Sequence, residues 1–328
     1  LSIVNDVITV TFTSSEAIAT KVVTFLSGGD PITNAGAITY NNTSGNTWTA
    51  AYTAHTNDTD GVVTYSIVVG DLAGNPGTAV TTGSGSVTFD NTVPTLTSAS
   101  ITSDNSPATH ANPGDVVTVT LAASVAISQP VVTFKSGGNA VSDGSITYAG
   151  SGANWTAAYT AGASDTEGAV SFTIAYSDLA GNAGTNVTSV TNASSVTFDK
   201  TAPTLTSASI ASDYSTNTLA STNDEITVTL TASEVIAQPT VTFLSGGNPI
   251  TNAGAITYNN TSGNTWTAAY TAHTNDTDGA VSFTISYSDL AGNTGTNVTS
   301  VTNASSVTFD KTVPTLSGVG IVSNNPTD

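Results

Sequence analysis

The sequence contains no cysteine, no methionine and no arginine, and it has only four lysines in 328 residues. Without cysteine, a disulfide framework and a thiolate metal site are both excluded, so each domain depends on an apolar core and on any hard cations that it binds. The 23 acidic residues leave a formal net charge of −19. A field of this sign repels nucleic acids and anionic membranes, so we expect neither as a partner, whereas cations are expected to bind.

The chain also lacks the patterns that mark a membrane protein or an enzyme. No apolar run reaches the roughly 18 residues that a membrane-spanning helix needs. Three histidines are present, but no nucleophile signature lies near them, and no glycine-rich phosphate loop joins a strand to a helix. We therefore predict a non-catalytic protein with no membrane span in this segment.

What the sequence does contain is threonine, valine, serine, asparagine and glycine in short alternating runs. In VVTVTL, for example, Val117, Val119 and Leu121 fall on one face and threonine falls on the other. This period of two predicts half-buried β-strands, and turn signals such as SGG and SDLAGN separate about seven of them in each repeat. The pattern predicts an all-β chain.

Aromatic landmarks recur with a period of about 109 residues, the size of one β-sandwich domain, as at Phe25, Phe134 and Phe243. We predict three tandem immunoglobulin-like Greek-key β-sandwich domains in an elongated rod. Their predicted bounds are 1–92, 93–201 and 202–312, and residues 313–328 are predicted to form strand A of a following repeat. On this alignment the first domain lacks its own strand A.

Two motifs recur at one spacing in all three repeats. The repeats close with VTFDNTVPTL, VTFDKTAPTL and VTFDKTVPTL, and about twenty residues earlier they carry GDLAGN, SDLAGN and SDLAGN. These motifs resemble the bacterial Ig-like repeats of giant secreted surface adhesins and biofilm-associated proteins. The resemblance implies an extracellular stalk at the cell surface, often stiffened by calcium between domains, which holds an adhesive tip away from the cell. The ligand of that tip would bind outside this segment.

Nearly all carboxylates fall in predicted loops, and an immunoglobulin-like strand order brings many of them to the junctions between domains. At the second junction, the acids predicted to converge are Asp104, Asp115, Asp165, Glu167, Asp199, Glu234 and Asp289. Like charges this close repel strongly unless a cation lies among them. Calcium suits such a site better than zinc or magnesium, because it takes about six to eight oxygen ligands in flexible geometry.

At the first junction, the corresponding candidate ligands are Asp6, Asp58, Asp60, Asp90 and Asp178. Val125 stands there in place of the glutamate found at Glu16 and Glu234, which predicts weaker binding or the use of a different ligand. Turn chemistry is the alternative for all of these acids, because Asp and Asn hydrogen-bond their own backbone in turns such as SDLAGN.

Two functions from different classes fit this sequence. The first is a structural stalk segment of an adhesin, whose partners are the neighbouring repeats. The second is a self-assembling filament, sheath or surface-layer subunit, in which the tail of one copy donates a strand to the first domain of the next. The predicted anchors of that strand are Leu316, Val319 and Ile321.

We expect the stalk over the filament, with the tail opening a fourth repeat of a longer array, because the repeat period continues from the end of the chain to its beginning. A carbohydrate-binding module is disfavoured, since it would need a cluster of exposed aromatic residues. The tyrosines here alternate with the predicted core instead.

Overall fold

The computed structural model describes residues 1–33, 35–142, 144–251 and 255–324. Within these ranges the regular structure is β-strand, apart from one turn of 3-10 helix, η1 (Ala35–Ala37), and no α-helix is present. No helix in the described part of the chain is long and apolar enough to cross a membrane. The chain divides into two compact units, residues 1–102 with 116–196 and residues 103–115 with 197–328.

The first repeat lies wholly in the first unit and forms two sheets. One sheet has the strand order β1-β5-β4 and the other has the order β3-β2-β6-β7. The strands are β1 (Val7–Thr13), β2 (Ile18–Ser27), β3 (Asp30–Pro31), β4 (Thr39–Ser44), β5 (Thr47–Thr53), β6 (Gly61–Asp71) and β7 (Val87–Phe89).

The second repeat repeats this plan with one strand more in its first sheet. The strands are β8 (Leu96–Ser103), β9 (His110–Ala111), β10 (Val116–Ala123), β11 (Val131–Ser136), β12 (Asn139–Ala140), β13 (Thr147–Ser151), β14 (Asn154–Thr160), β15 (Gly168–Ala175) and β16 (Thr197–Phe198). The first sheet has the order β13-β14-β10-β8. In the second unit, β16 pairs in parallel with β9.

The third repeat lies in the second unit. Its strands are β17 (Leu205–Ser212), β18 (Leu219–Ala220), β19 (Glu225–Ala232), β20 (Thr240–Ser245), β21 (Asn248–Pro249), β22 (Thr257–Ser262), β23 (Thr265–Thr271), β24 (Gly279–Ser286) and β25 (Thr308–Phe309). The sheets have the orders β17-β19-β23-β22 and β18-β25-β24-β20-β21. In immunoglobulin lettering these are ABED and A′GFCC′, which confirms the predicted Greek-key sandwich.

The period-two alternation explains why these segments are strands. In β19, Ile226, Val228 and Leu230 are fully buried, while the residues between them face outward or are half-buried. Leu230 lies opposite Trp266 of β23, so the tryptophan covers one end of the same buried row. Successive side chains of a strand point to opposite faces, and one face of each sheet therefore closes the core.

The sandwich interior is aromatic and repeats almost without change. In the third repeat the rings of Phe243 and Tyr270 pack with centroids 4.7 Å apart at a tilted angle. The matching pairs are Phe25–Tyr52 and Phe134–Tyr159. Tilted aromatic pairs bury large apolar area and add a favourable quadrupole contact, so they hold the two sheets together.

The first repeat has fewer strands than the others. Among its described residues no strand corresponds to β9 or β18, and an isolated parallel bridge between Ser2 and Phe89 takes that place. Its first sheet has three strands, and β1, the counterpart of β10 and β19, lies at the sheet edge. The strand that borders β10 and β19 in the later repeats, β8 and β17 respectively, has no counterpart among the described residues of the first repeat. Residues 311–324, whose sequence resembles that strand, lie outside any strand.

Candidate metal centre

The turn SDLAGN of the third repeat is closed by hydrogen bonds between its aspartate and its asparagine. Asp289 is buried, and its Oδ1 accepts the backbone N–H of Asn293 at 2.9 Å, while its Oδ2 accepts the side-chain amide of Asn293 at 2.8 Å. Gly292 adopts a φ of +96° inside the turn, a conformation that favours glycine. The turn therefore fixes the Asp289 carboxylate with two charge-assisted hydrogen bonds.

The linker that closes the second repeat is tied to this turn. The carbonyl oxygen of Asp199 accepts a hydrogen bond of 3.0 Å from Nδ2 of Asn293. The backbone N–H of Asp199 donates to the carbonyl of Ala111 at 2.9 Å, which continues the pairing of β16 with β9. Asp199 is thereby held beside Asp289 by backbone contacts.

Glu234 completes a cluster of three carboxylates. It follows β19, and an isolated bridge between Ile236 and Asp289 brings this segment beside the SDLAGN turn. One carboxylate oxygen from each of Asp199, Glu234 and Asp289 lies within 4.8 Å of the other two. Among the described residues this is the single such group of three metal-ligating side chains. We call it the carboxylate trio.

The three carboxylate oxygens lie close enough together to contact one divalent cation. Ca²⁺ takes about six to eight oxygen ligands at about 2.3–2.6 Å in flexible geometry. Mg²⁺ holds its ligands at about 2.0–2.1 Å in strict octahedral geometry, which carboxylates from three separate segments meet less readily. The donor set, with carboxylates and nearby backbone carbonyls, also consists of the hard oxygen ligands that calcium prefers.

Other predicted ligands lie in turns of their own. Asp58 accepts backbone N–H bonds from Thr33 at 2.7 Å and from His55 at 2.9 Å. Asp165 is buried and does the same for Ser142 and Gly162, at 2.5 and 2.9 Å. These are the hydrogen bonds to backbone N–H groups of loops that the sequence predicts as the alternative to metal binding.

Asp60, Asp115, Asp104 and Glu167 also lie outside the trio. Asp60 holds the exit of the first repeat, where it accepts the N–H of Asn91 and the hydroxyl of Thr92, at 2.7 and 2.6 Å. Its counterpart Asp278 holds the exit of the third repeat, and hydrogen bonds from the Thr312 side chain and the Lys311 backbone lower the pKa of this carboxyl. Asp115 accepts the N–H of Asn112.

The first junction has the same scaffold without a third carboxylate. Nδ2 of Asn182 donates to the carbonyl of Asp90 at 2.9 Å, and the buried Asp178 accepts three backbone N–H bonds and the Asn182 amide. Val125 occupies the position of Glu234. The backbone N–H of Ser124, just before Val125, donates to the carbonyl of Thr95. The backbone N–H of Ser233, just before Glu234, donates in the same way to the carbonyl of Thr204. Val125 is 42% exposed. This junction therefore presents two of the three acids.

Sequence reasoning missed Asn182 and Asn293. Both are the last residue of SDLAGN, four residues after the aspartate that they bond, and each also reaches back to the preceding linker. The recurrence of asparagine at this place in the motif was the available signal. In the first repeat the corresponding Asn75 bonds Asp71, and these hydrogen bonds lower the pKa of Asp71.

No family model and no curated protein matches the sequence. Tandem immunoglobulin domains are among the solved structures that match. An I-band fragment of titin is 11% identical, with 94% of each chain covered and a TM-score of 0.36. The eight N-terminal immunoglobulin domains of the Down syndrome cell adhesion molecule are 12% identical, covering 92% of this chain and 40% of that one, with a TM-score of 0.28. The ectodomain of mouse nectin-like molecule 4 is 12% identical, with 96% and 98% covered and a TM-score of 0.27.

Similarity at this level carries no functional argument. The immunoglobulin-like fold of this chain rests on its own strand order and on the aromatic pairs of its cores.

Proposed function

We propose that this chain is a non-catalytic structural segment of an extracellular, cell-surface stalk, built like the Ig-like repeats of bacterial adhesins. The observation that carries the proposal is a recurring hydrogen bond from an asparagine to a linker, which we call the lock. Asn182 and Asn293 each tie the SDLAGN turn of a repeat to the linker before that repeat, at 2.9 and 3.0 Å. A stiff spacer needs a contact of this kind, which fixes one repeat to the linker from the previous one.

Calcium at the carboxylate trio is the second part of the proposal. Asp199, Glu234 and Asp289 would hold the ion, and its role would be to stiffen the linker rather than to activate a substrate. Three like charges within this distance repel, and a divalent cation among them removes that repulsion. Extracellular calcium modules bind with a Kd on the order of 10⁻⁴ to 10⁻³ M, which fits filling outside the cell and emptying under chelation.

Two of the three histidines make contacts that support a structural role. Nδ1 of His55 accepts the N–H of Asn57 at 3.2 Å, and Nδ1 of His273 accepts the N–H of Asn275 at 3.1 Å. Both therefore act as turn acceptors in the same loop of two repeats. A ring nitrogen used in this way is not placed as a general base.

The calcium part is tested by thermal melting of the full chain in millimolar calcium, in millimolar magnesium and with chelator. Calcium is expected to raise the melting temperature of the third repeat, equivalent to about 1–3 kcal/mol when the site is nearly saturated. The matched variant Glu234→Val reproduces the residue found at Val125 and should remove the shift. Equal melting temperatures with calcium and with chelator would discard the calcium site.

The stalk itself is tested separately by single-molecule pulling. Three repeats of about 109 residues should give three unfolding events, each lengthening the chain by up to about 36–39 nm. A single unfolding event, or continuous extension without unfolding events, would contradict an array of repeats that resist force independently. This readout does not depend on calcium, so the two parts of the proposal fail independently.

A further inference from the structure

One loop of the second repeat belongs to the same compact unit as the third repeat. This loop, Ser103–Asp115, follows β8 and precedes β10 in the sequence, and we call it the docking loop. Nδ2 of Asn105 in this loop donates to the carbonyl of Leu290 at 3.0 Å, and Asn105 is half-buried. Leu290 lies in the SDLAGN turn of the third repeat, so a side chain of one repeat is bonded to a turn of the next.

The docking loop, the linker and the SDLAGN turn are each bonded to the other two. The backbone N–H of Asp199 in the linker donates to the carbonyl of Ala111 in the docking loop at 2.9 Å. The amide of Asn293 in the turn donates to the carbonyl of Asp199 at 3.0 Å. The bond from Asn105 to Leu290 completes the set, so a movement of the turn breaks a contact to the loop or to the linker.

A glycine of the turn also lies close to the docking loop. A Cβ built on Gly292 would lie 3.1 Å from Nδ2 of Asn112, which is closer than an ordinary van der Waals contact. The side-chain amide of Asn112, which is half-buried, therefore lies over the bare Cα of this glycine. The turn offers the docking loop a surface that a larger residue at position 292 would block.

The first junction has the same approach with a different side chain. Ile3 matches Asn112, because the backbone N–H of each bonds the aspartate three residues later, Asp6 or Asp115, at 2.9 and 2.8 Å. A Cβ built on Gly181 would lie 3.8 Å from Cδ1 of Ile3. The same loop position thus faces the same glycine of the turn at both junctions, with an apolar side chain at one and an amide at the other.

We propose that the SDLAGN turn of the third repeat is a docking surface for the loop of a preceding repeat, and that Asn105 and Asn112 are the residues that it recognises. The partner is an immunoglobulin-like repeat with asparagine at these two loop positions. A neighbour without them leaves the carbonyl of Leu290 without its donor, and this disfavours the wrong pair. The proposal goes beyond the stalk, because it concerns which repeats can be neighbours, and it does not depend on calcium.

The corresponding loop of the third repeat, residues 212–224, provides a matched control sequence. It has the same length as the docking loop, and its backbone makes the equivalent hydrogen bonds. At the two recognised positions it has Tyr214 and Ser221 instead of asparagine. An exchange of the two loops therefore changes the recognised side chains and keeps the backbone hydrogen bonds.

The first test removes the amide of Asn105. Asn105→Ala should raise the unfolding equilibrium constant of the third repeat by about 2- to 10-fold, because one hydrogen bond between the two repeats is lost. The second repeat, which contains the substitution, should change less. Denaturant unfolding of the full chain in chelator measures both, by the fluorescence of Trp266 for the third repeat and of Trp155 for the second. In each case the other two tryptophans are replaced by Phe.

Asn139→Ala is the control for this test. Asn139 is an exposed residue of the second repeat, and its amide bonds Oγ1 of Thr166 in the same repeat at 3.2 Å. Its loss should leave the third repeat unchanged. A third repeat that is also unchanged in Asn105→Ala would overturn the proposal. An equal loss in the second and third repeats would overturn it too, because Asn105 would then stabilise its own repeat.

The second test exchanges the whole loop. Replacing residues 103–115 by the sequence of residues 212–224 should lower the denaturant midpoint of the third repeat, while Trp155 reports a folded second repeat. Retaining Asn105 and Asn112 within the exchanged loop should restore the midpoint. If the exchange unfolds the second repeat, the double variant Asn105→Tyr with Asn112→Ser makes the same comparison.

An unchanged midpoint after the exchange would show that the turn does not distinguish the two loops. A midpoint that the two asparagines do not restore would show that recognition lies at other residues. Either result would overturn the proposal. Both tests are made in chelator and without force, so their failure is separate from failure of the calcium site or of the stalk.

Discussion

The side-chain amide of Asn293 joins Asp199 to Asp289, through hydrogen bonds of 3.0 Å to the carbonyl of Asp199 and 2.8 Å to the carboxylate of Asp289. Both hydrogens of one amide group are thus used, one on the linker and one on the turn. Asn182 makes the same pair of bonds to Asp90 and Asp178. The lock is built from protein groups alone and does not require a metal.

Asn293→Ala should therefore destabilise the third repeat by about 1–3 kcal/mol, because it removes the side-chain amide that donates to both the buried Asp289 carboxylate and the carbonyl of Asp199. Asn75→Ala is the matched control. Asn75 bonds Asp71 but is exposed, so its loss should cost less. Each variant is unfolded in denaturant and followed by the tryptophan of its own repeat, with the other two tryptophans replaced by Phe: Trp266 for Asn293→Ala and Trp48 for Asn75→Ala. An equal cost for both alanine variants would contradict a special role for the lock.

Val125→Glu should create at the first junction a calcium site equivalent to the one proposed at the carboxylate trio. The substitution supplies the third acid beside Asp90 and Asp178, whose backbone scaffold matches that of the trio. Titration calorimetry of the full chain should show about one more bound calcium per chain than the wild type, with millimolar affinity. Unchanged stoichiometry would mean that a glutamate at this position does not suffice.

Gly246→Ala should destabilise the third repeat more than Gly247→Ala. Both glycines have positive φ, +55° and +80°, and a side chain in that region costs about 1–2 kcal/mol. A Cβ on Gly246 would also lie 2.5 Å from the carbonyl oxygen of Asp278, whereas nothing lies within 4 Å of a Cβ on Gly247. The forced backbone shift adds about 1–3 kcal/mol. Equal costs in denaturant unfolding would contradict the close approach.

The buried tyrosines predict a loss of stability in alkali. Burial, with a smaller contribution from the charge of Asp58, raises the pKa of Tyr52 to about 12. Burial, and then Asp165 and Asp276 respectively, also raises the pKa of Tyr159 and of Tyr270. The folded chain thus holds these protons more tightly than the unfolded chain. This stability is complete below a pH of about 10 and is lost as the pH rises through the raised pKa values.

Replacing all three tyrosines by phenylalanine should flatten the alkaline limb of the stability curve. Near neutral pH the replacement should be nearly neutral or stabilising, because these hydroxyls have no hydrogen-bond partner among the described residues. Denaturant midpoints measured from neutral pH to pH 12 check both points. An alkaline limb that is unchanged in the triple variant would show that other groups cause it.

The strands were predictable because their alternation reflects burial directly. Val117, Val119 and Leu121 were assigned to one face from sequence, and all three are buried in β10. The threonines between them are partly or fully exposed, as a two-sided sheet requires. Strand order followed from the immunoglobulin-like count, since few other topologies close seven such strands.

The grouping of acids was less predictable, because an aspartate in a loop has two uses that look alike in sequence. Asp165 and Asp289 were both expected at one junction, yet Asp165 caps its own loop and Asp289 joins the trio. Which use applies depends on where neighbouring N–H groups point. That is a property of backbone angles and is not set by residue type alone.

The carboxylate trio has a divided origin. Asp199 comes from the segment that ends the second repeat, and Glu234 and Asp289 come from the third. A single repeat, expressed alone, does not contain the trio. If repeats of this type are exchanged by recombination, each new pair of neighbours has its own set of carboxylates at the junction. The apolar cores of the two repeats are unchanged.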